Sequence, residues 1–339
     1  MGFIRKLVRA TVGPRYSWRL GSQTRREAAD LPGRLQQALD WVSAETRLDE
    51  EQPVFVLSSG WRSGSTLLQR MIMENRKDLL MWGEPFPHCN IHDGLVNQFR
   101  AFTTHWPPKP YFLSGMKLQD PSDTWVANLY PDVDDLLKAH RSFHRTLFAE
   151  PAHRAGWKSW GLKEVRFTID HAAYLRVLYP KCKIILLYRN PYDAFLSYSH
   201  WDVTVFRTWP DRFVSTPYAF GRNWAELTRG YLEGYKRVDA LLVKYEDLDS
   251  ADAVAGIQSY LGWPVPRSSE MRKIREPVYS KAAQKPKRKS LLATERMMLN
   301  LATRAVLRAS GYGERSRPGR ATGQAEPLDQ YSRDEGLDS

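Results

Sequence analysis

Residues 54–70, VFVLSSGWRSGSTLLQR, join an apolar run to an amphipathic pattern through a turn of small residues. The run VFVLSS is typical of a strand that is buried on both faces of a parallel sheet. The pattern STLLQRMIMEN places its apolar residues on one face of a helix. Backbone N–H groups in such a turn, together with the positive end of the helix dipole, bind oxyanions. The segment therefore predicts an α/β fold with an anion site where the first strand ends.

Further strand patterns at 160–165, 183–189 and 241–248 alternate with helical patterns, and MWGEP at 81–85 predicts a short strand or turn. This alternation predicts right-handed βαβ units. The expected fold is a P-loop-type, three-layer α/β fold with a central parallel sheet flanked by helices. In segment 24–47 the helical pattern predicts a helix broken near Pro32.

The chain organisation follows from where these patterns begin and end. We expect an N-terminal helical segment at 1–50, a main domain at 51–312 and a disordered tail at 313–339, because the tail has little apolar content. Segment 98–157 shows no clean periodicity and predicts an insertion over the carboxyl edge of the sheet, where open α/β sheets bind ligands.

Charge and cysteine content narrow the class of protein. The formal net charge is +12, and residues 265–320 hold 15 Lys or Arg against 4 Asp or Glu. Such an excess either solvates a tail or faces an anion, for example nucleic acid or a multiply phosphorylated cofactor.

Cys89 and Cys182 have no metal-ligand spacing, so we expect a cytoplasmic protein without a metal. No apolar run approaches the ~20 residues of a membrane span, although the basic residues 1–13 leave peripheral membrane contact open.

The turn Gly60-Trp61-Arg62-Ser63-Gly64-Ser65-Thr66 differs from that of nucleotide triphosphatases. Their pattern, G-x-x-x-x-G-K-[ST], places a lysine on the β- and γ-phosphates. Here the spacing is one residue shorter, Ser65 replaces the lysine, and the cation is Arg62. The turn thus favours a 5′-phosphate joined to something other than a phosphate chain. The alternative is an ordinary Gly/Ser turn.

A second motif, YRNPYDAFLSYSH, places Arg189 at the end of a strand and Ser197 on the helix that follows. A cation and a hydroxyl group at the same sheet edge indicate a second phosphate site, and hence a nucleotide with phosphates at both ends. Taken alone, Arg189 is better explained as a surface or N-cap partner of Asp193.

Together these motifs resemble those of the sulfotransferases that use 3′-phosphoadenosine-5′-phosphosulfate. The stretch 62–66 matches the family pattern R/K-S-G-[ST]-T for the 5′-phosphosulfate, and 189–197 matches R-[DN]-P-x-D followed by serine for the 3′-phosphate. KYEDL at 244–248 resembles a later family strand, so the resemblance covers residues 53–312. With arginine rather than lysine at position 62, the motif resembles that of the carbohydrate, tyrosyl-protein and bacterial branches of this family. The resemblance assigns the nucleotide to Arg62, Ser63, Gly64, Ser65, Thr66, Leu67, Arg189 and Ser197.

The resemblance also implies roles in catalysis. Sulfuryl transfer is an in-line displacement in which the protein supplies mainly position and positive charge. Arg62 and Lys163 are the expected cations, although Lys163 is equally explained by a salt bridge with Glu164 or a neighbour. The acceptor must lose a proton to a general base. Glu84 is the favoured base and His88 is the alternative.

The favoured acceptor is a hydroxyl group, or an amine, on a carbohydrate or glycoconjugate. An aromatic segment supplies surfaces that either stack on sugars or pack internally; its members are Trp106, Tyr111, Phe112 and Trp125. A small natural product and a peptide tyrosine are the other acceptors considered. The basic stretch 285–290 either closes over the 3′-phosphate or is a solvated charge run.

Two functions of other classes compete with sulfuryl transfer. A P-loop kinase needs a lysine beside Ser65 and an acidic magnesium ligand, and this lysine is missing. A nucleic-acid-binding protein would use the basic region near the C-terminus, but no recognisable nucleic-acid module accompanies it. We therefore expect a nucleotide and an acceptor as the partners, and no nucleic acid.

Overall fold

The computed structural model describes residues 30–84, 91–102, 106–115, 125–200, 214–271 and 288–313. The described chain divides into two compact units. One contains residues up to 49 together with residues 92–142, and the other contains residues 50–91 together with residues from 143 onwards. The boundaries predicted at 50 and 312 stay predictions.

The second unit is built on a five-stranded parallel sheet. Its strands are β1 (Val54–Ser58), β2 (Leu79–Trp82), β3 (Ser159–Glu164), β4 (Lys183–Tyr188) and β5 (Leu241–Lys244). The strand order is β2-β3-β1-β4-β5, so β1 lies in the middle. The predicted α/β fold with a central parallel sheet is confirmed.

Helices connect and cover these strands. The described α-helices are α1 (Leu31–Leu39), α2 (Ala44–Arg47), α3 (Ser65–Glu74), α4 (Ile91–Gln98), α5 (Val133–His144), α6 (Glu150–Arg154), α7 (Ile169–Leu178), α8 (Pro191–Tyr198), α9 (Pro217–Gly234), α10 (Ala251–Leu261) and α11 (Ala293–Leu307). Helices α1, α2 and α4 and most of α5 belong to the first unit.

Strand β1 is apolar on both faces because both faces are covered. All five of its residues are buried. Val54 and Val56 pack in one cluster with Leu68 and Met71 of α3. Phe55 points to the opposite face, as alternation along a strand requires, and its ring lies 6.2 Å from that of Tyr179. This two-sided burial explains why the run reads as continuously apolar.

The structure differs from the sequence prediction at the last strand. The last predicted strand, 241–248, is too long: β5 stops at Lys244, because β4 turns away into α8 after Tyr188 and offers no further partner. Pro32 lies in the first turn of α1, where a missing N–H is tolerated, and residues 24–29 of the predicted broken helix lie outside the described residues. Within residues 30–47, the helical stretch is interrupted between α1 and α2.

The segment without clean periodicity contains a long helical stretch. Helix α5 continues through a π-helical turn, Arg145–Ala149, into α6. A π-turn shifts the residues that follow it around the helix axis, and Pro151 supplies no backbone N–H to the stretch. The helical pattern is therefore out of register across this turn. The expectation that segment 98–157 lies over the carboxyl edge of the sheet stays a prediction.

His140 of α5 makes the stability of the first unit depend on pH. Its side chain is buried, its Nε2 lies 3.3 Å from Gln98 Oε1, and its ring lies 5.1 Å from that of Phe99. Burial lowers the pKa of His140 from 6.5 to about 4. The unfolded chain therefore binds this proton at higher pH than the folded chain, so stability is lost as the pH falls from 6.5 towards 4.

Replacing His140 with Gln removes this titrating group. We expect the melting temperature of the wild-type protein to fall more steeply between pH 6.5 and pH 4.5 than that of His140→Gln, as measured by thermal unfolding. The exposed His153 is the control, because His153→Gln should keep the wild-type slope. Equal slopes in His140→Gln and wild type would contradict the assignment.

Candidate functional site

The turn between β1 and α3 has a backbone that few sequences tolerate. Gly60, Arg62 and Gly64 have positive φ angles of 87°, 66° and 90°. Such angles suit glycine, but in arginine they carry a strain of roughly 1–3 kcal/mol that only a fixed surrounding structure maintains. Gly64 caps α3 without a side-chain hydrogen bond to the first turn. The positive end of α3 is therefore open to an anion.

Hydrogen bonds tie this turn to both neighbouring strands. The Ser59 N–H donates to the Leu187 carbonyl at 2.9 Å, and the Gly60 N–H donates to the Val165 carbonyl at 3.1 Å. The Ser63 hydroxyl donates to the Gly60 carbonyl inside the turn. The turn is thus fixed where β1, β3 and β4 end.

The second predicted motif lies against the first. Arg189 follows β4 and donates from Nη1 to the Arg62 carbonyl at 3.0 Å. The Arg62 Nε donates to the Ser197 hydroxyl of α8 at 3.0 Å. Among the residues the structure describes, no ion pair joins Arg189 to Asp193. Two guanidinium groups and a hydroxyl group, from motifs more than a hundred residues apart, meet at the N-terminus of α3.

A carboxylate and an ammonium group meet farther along the same edge. Lys163 of β3 has its Nζ 2.5 Å from Oε1 of Glu84, which follows β2. The register of β2 and β3, with Trp82 opposite Leu162, brings the two residues together. Lys163 therefore pairs with Glu84, and not with the adjacent Glu164. His88 lies outside the described residues.

Glu164 pairs instead with Arg166, two residues on, in a buried position. Its carboxylate accepts the Val165 N–H at 2.8 Å and the Arg166 Nη2 at 2.8 Å. Burial raises the pKa of Glu164, and the Arg166 guanidinium opposes that rise. This pair fixes the bend after β3 whose Val165 carbonyl anchors the turn. The sequence analysis missed Arg166, because its spacing from Glu164 carries no motif.

The remaining predicted residues have mixed surroundings. Ser63 and Ser65 are buried in the turn, Leu67 is half-buried and Thr66 is exposed. In the basic stretch, Arg288 pairs with Glu295 of α11 at 3.0 Å, so this arginine is not part of a solvated charge run. The residues of this stretch before Arg288 lie outside the described residues.

The aromatic segment belongs to the first unit. Phe112 is buried, and its ring lies 5.1 Å from that of Trp41, so it is a packing residue. Trp106 contacts the ring of Tyr111 but is 39% exposed, and Trp125 is 69% exposed. Two of the four aromatic residues therefore retain a surface on which a ligand can stack.

Comparison with known families identifies the chain. The sequence pattern of the Sulfotransferase family matches residues 53–267, which is more than half of the chain. The chain belongs to the sulfotransferase family. The match spans the turn, both guanidinium groups and the Lys163–Glu84 pair of this sulfotransferase.

The chain is also similar to several solved structures. The sulfotransferase domain from the curacin biosynthetic pathway is 15% identical, with a TM-score of 0.46, over 78% of this chain and 99% of that domain. Sulfotransferase STF9 from Mycobacterium avium is 14% identical, with a TM-score of 0.37, over 84% of each chain. Mouse sulfotransferase SULT7A1, complexed with PAP, is 15% identical, with a TM-score of 0.34, over 67% of this chain and 68% of that one. No curated protein matches this chain.

The described residues contain neither a metal-binding cluster nor a membrane-spanning helix. Within the described ranges, no group of three or more His, Cys, Asp or Glu side chains is arranged to hold a metal ion. None of the helices in this part of the chain has the length and apolar character needed to cross a membrane.

The buried Glu164–Arg166 pair generates a prediction about stability. Arg166→Met leaves a carboxylate buried without its cation, and we expect a loss of about 3–5 kcal/mol in the free energy of unfolding. Denaturant unfolding measures this loss. The control is Arg267→Met, which breaks an ion pair whose side chains are 50% and 48% exposed, and which should cost much less stability because solvent screens an exposed pair. Similar losses in the two variants would contradict a structural role for Arg166.

Proposed function

We propose that this sulfotransferase moves a sulfuryl group from 3′-phosphoadenosine-5′-phosphosulfate to a hydroxyl group, or an amine, with carbohydrates or glycoconjugates as the favoured acceptors. Membership of the family supports sulfuryl transfer. The donor is supported by one observation above all: Arg62, Arg189 and Ser197 converge at the uncapped N-terminus of α3.

The residues of the site suit this nucleotide. In the proposal, the turn from Gly60 to Thr66, with Leu67 behind it, holds the 5′-phosphosulfate through backbone N–H groups and the hydroxyl groups of Ser65 and Thr66. Arg189 and Ser197 hold the 3′-phosphate. Arg189 suits a phosphate because its planar guanidinium group donates two hydrogen bonds side by side.

The reaction is an in-line displacement. The acceptor oxygen attacks sulfur, the bond from sulfur to the 5′-phosphate oxygen breaks, and the electron pair leaves with adenosine 3′,5′-bisphosphate. Arg62 stabilises the charge that grows on the leaving oxygen. Glu84 takes the proton from the acceptor. Lys163 donates to Oε1 of Glu84, which leaves Oε2 to accept that proton.

Our preference for a carbohydrate acceptor rests on Arg62. A motif with arginine at this position resembles that of the family branches that act on carbohydrates, peptide tyrosine and bacterial acceptors. Incubation with labelled donor and cell extracts, followed by mass spectrometry of the labelled product, decides among these. A labelled glycan or glycolipid supports the proposal. If the labelled product is a small natural product or a tyrosine peptide, the proposed acceptor is wrong but the proposed reaction stands.

The donor assignment predicts a difference between two nucleotides. Adenosine 3′,5′-bisphosphate should raise the melting temperature, because it binds only the folded protein. Adenosine 5′-monophosphate lacks the 3′-phosphate and should raise it much less. Thermal shift assays at matched concentrations measure both values. Equal shifts in melting temperature would contradict the assignment of Arg189 and Ser197 to the 3′-phosphate. A shift that appears only with ATP and magnesium would favour a kinase.

The proposed roles also predict different kinetic effects for three substitutions. Arg62→Ala removes charge stabilisation from the transition state and should lower kcat by about 10²-fold or more. Arg189→Ala removes binding that is equal in the ground and transition states, so it should mainly raise KM for the donor. Glu84→Gln keeps the side-chain shape but loses the base, so kcat should fall by roughly 10²–10⁴-fold while the nucleotide still binds.

Steady-state kinetics with varied donor concentration separate these effects. His88→Ala serves as the comparison for Glu84→Gln. If His88→Ala abolishes transfer and Glu84→Gln does not, His88 is the base. If neither substitution slows transfer, the acceptor itself is acidic or nucleophilic enough to react without a base.

A further inference from the structure

Helix α11 is fixed to the second unit through one of its faces. Its buried residues recur at helical spacing and are Leu299, Thr303, Val306 and Leu307. Leu299 packs in one apolar cluster with Phe195 of α8. Val306 packs in a second cluster with Trp224 of α9. The helix therefore has a defined inner face, which sets the direction of its outer face.

The outer face of α11 carries large apolar side chains that remain in solvent. Met297 is 65% exposed, Met298 is 40% exposed and Leu301 is 58% exposed. Met297 and Leu301 are four residues apart and so are neighbours on the helix surface. They lie on the side opposite to Leu299 and Thr303, because successive residues of an α-helix are about 100° apart. Apolar side chains grouped in this way mark sites that bind a protein or a membrane.

The charge on the same face is positive. Arg304 and Arg308 are exposed and follow Leu301 by three and seven residues, which keeps them on its side of the helix. Among the described residues, no carboxylate forms an ion pair with either arginine. The sequence of α11 has one acidic residue, Glu295, and its carboxylate pairs with Arg288 at 3.0 Å. The outer face is thus apolar and cationic, without a compensating negative charge of its own.

An anionic lipid surface is the partner that suits this face. A second copy of the chain would place the same cations opposite one another, because a twofold interface pairs a patch with itself. Nucleic acid would pair with the two arginines through its phosphates, but it provides no apolar medium for Met297 and Leu301. A bilayer with anionic lipids provides both, since negative head groups lie directly above the acyl chains.

We propose that α11 docks this sulfotransferase on anionic membranes. The helix lies in the plane of the lipid surface, with Met297 and Leu301 at the acyl chains and with Arg304 and Arg308 at the lipid phosphates. Because α11 packs on α8, the helix that carries Ser197, docking also holds the proposed nucleotide site near the lipid. Docking of this kind requires neither the nucleotide nor the acceptor.

Co-sedimentation of the full chain with vesicles tests this docking. One set of vesicles is phosphatidylcholine, and the other is phosphatidylcholine and phosphatidylglycerol in a two-to-one ratio. The wild-type protein should bind the anionic vesicles at least about tenfold more tightly than the neutral ones. Met297→Gln/Leu301→Gln keeps the charge but removes the apolar contact, so it should weaken binding to the anionic vesicles by about tenfold.

Other substitutions separate the role of α11 from that of net charge. Arg304→Gln/Arg308→Gln keeps the apolar contact and should weaken binding by about tenfold. One control is Leu48→Gln, which replaces a leucine of the first unit that is 73% exposed. The other is Lys77→Gln/Arg154→Gln, which removes two exposed cations just before β2 and β3. Both controls should bind within about twofold of the wild-type protein, because salt screens charges far from the contact.

The outcomes distinguish docking from the alternatives. Each variant replaces exposed side chains and should keep the wild-type melting temperature; if the double glutamine variant does not, Met297→Ala/Leu301→Ala gives the same comparison, since alanine favours a helix. Equal binding of anionic vesicles by wild type and the apolar variant would overturn the proposal, because general positive charge would then be sufficient. A wild-type dimer that dissociates in the apolar variant, measured by analytical ultracentrifugation, would assign the face to a second copy. Binding to duplex DNA but not to vesicles would assign it to nucleic acid, and each of these results also overturns the proposal.

Discussion

Two backbone hydrogen bonds hold the site together. The Ser59 N–H donates to Leu187 at the end of β4, and the Gly60 N–H donates to Val165 just after β3. They attach the turn to both strands that flank β1, so the turn cannot move without the sheet. Since Arg189 follows β4 and Lys163 lies in β3, the same bonds fix the turn relative to both cations. The site is thus as rigid as the sheet beneath it, which is what an electrostatically preorganised site requires.

The strain in the turn is offset by the contacts of one residue. Arg62 adopts a left-handed backbone conformation that costs roughly 1–3 kcal/mol for a side chain other than glycine. Its carbonyl accepts from Arg189 and its Nε donates to Ser197. In this conformation the Arg62 carbonyl faces Arg189, which follows β4, and the side chain reaches Ser197 of α8. The strain and the cluster of cations are therefore two consequences of one backbone geometry.

The sequence predicted what is encoded locally and missed what depends on distant contacts. Strand β1, the turn and α3 lie within one short stretch, and Arg189 and Ser197 lie within another. Their patterns could therefore be recognised from the sequence alone. The end of β5 could not be, because it is set by where β4 turns away. The pairing of Lys163 with Glu84 depends on the register of two strands that are far apart in the chain. Arg166 was missed for a different reason: its partner Glu164 is only two residues away, but that spacing carries no motif.

The order of strands in the sheet separates the two halves of the proposed chemistry. Glu84 and Lys163 follow or belong to β2 and β3, on one side of β1. Arg189 follows β4, on the other side. The turn after β1 stands between them. A donor held by the turn and by the β4 side would direct its leaving group away from the carboxylate. The transferring group would then lie between the fixed nucleotide and the base, which is the arrangement that in-line displacement needs. In the proposal, the base and the nucleotide are therefore held by different strands, on opposite sides of the turn.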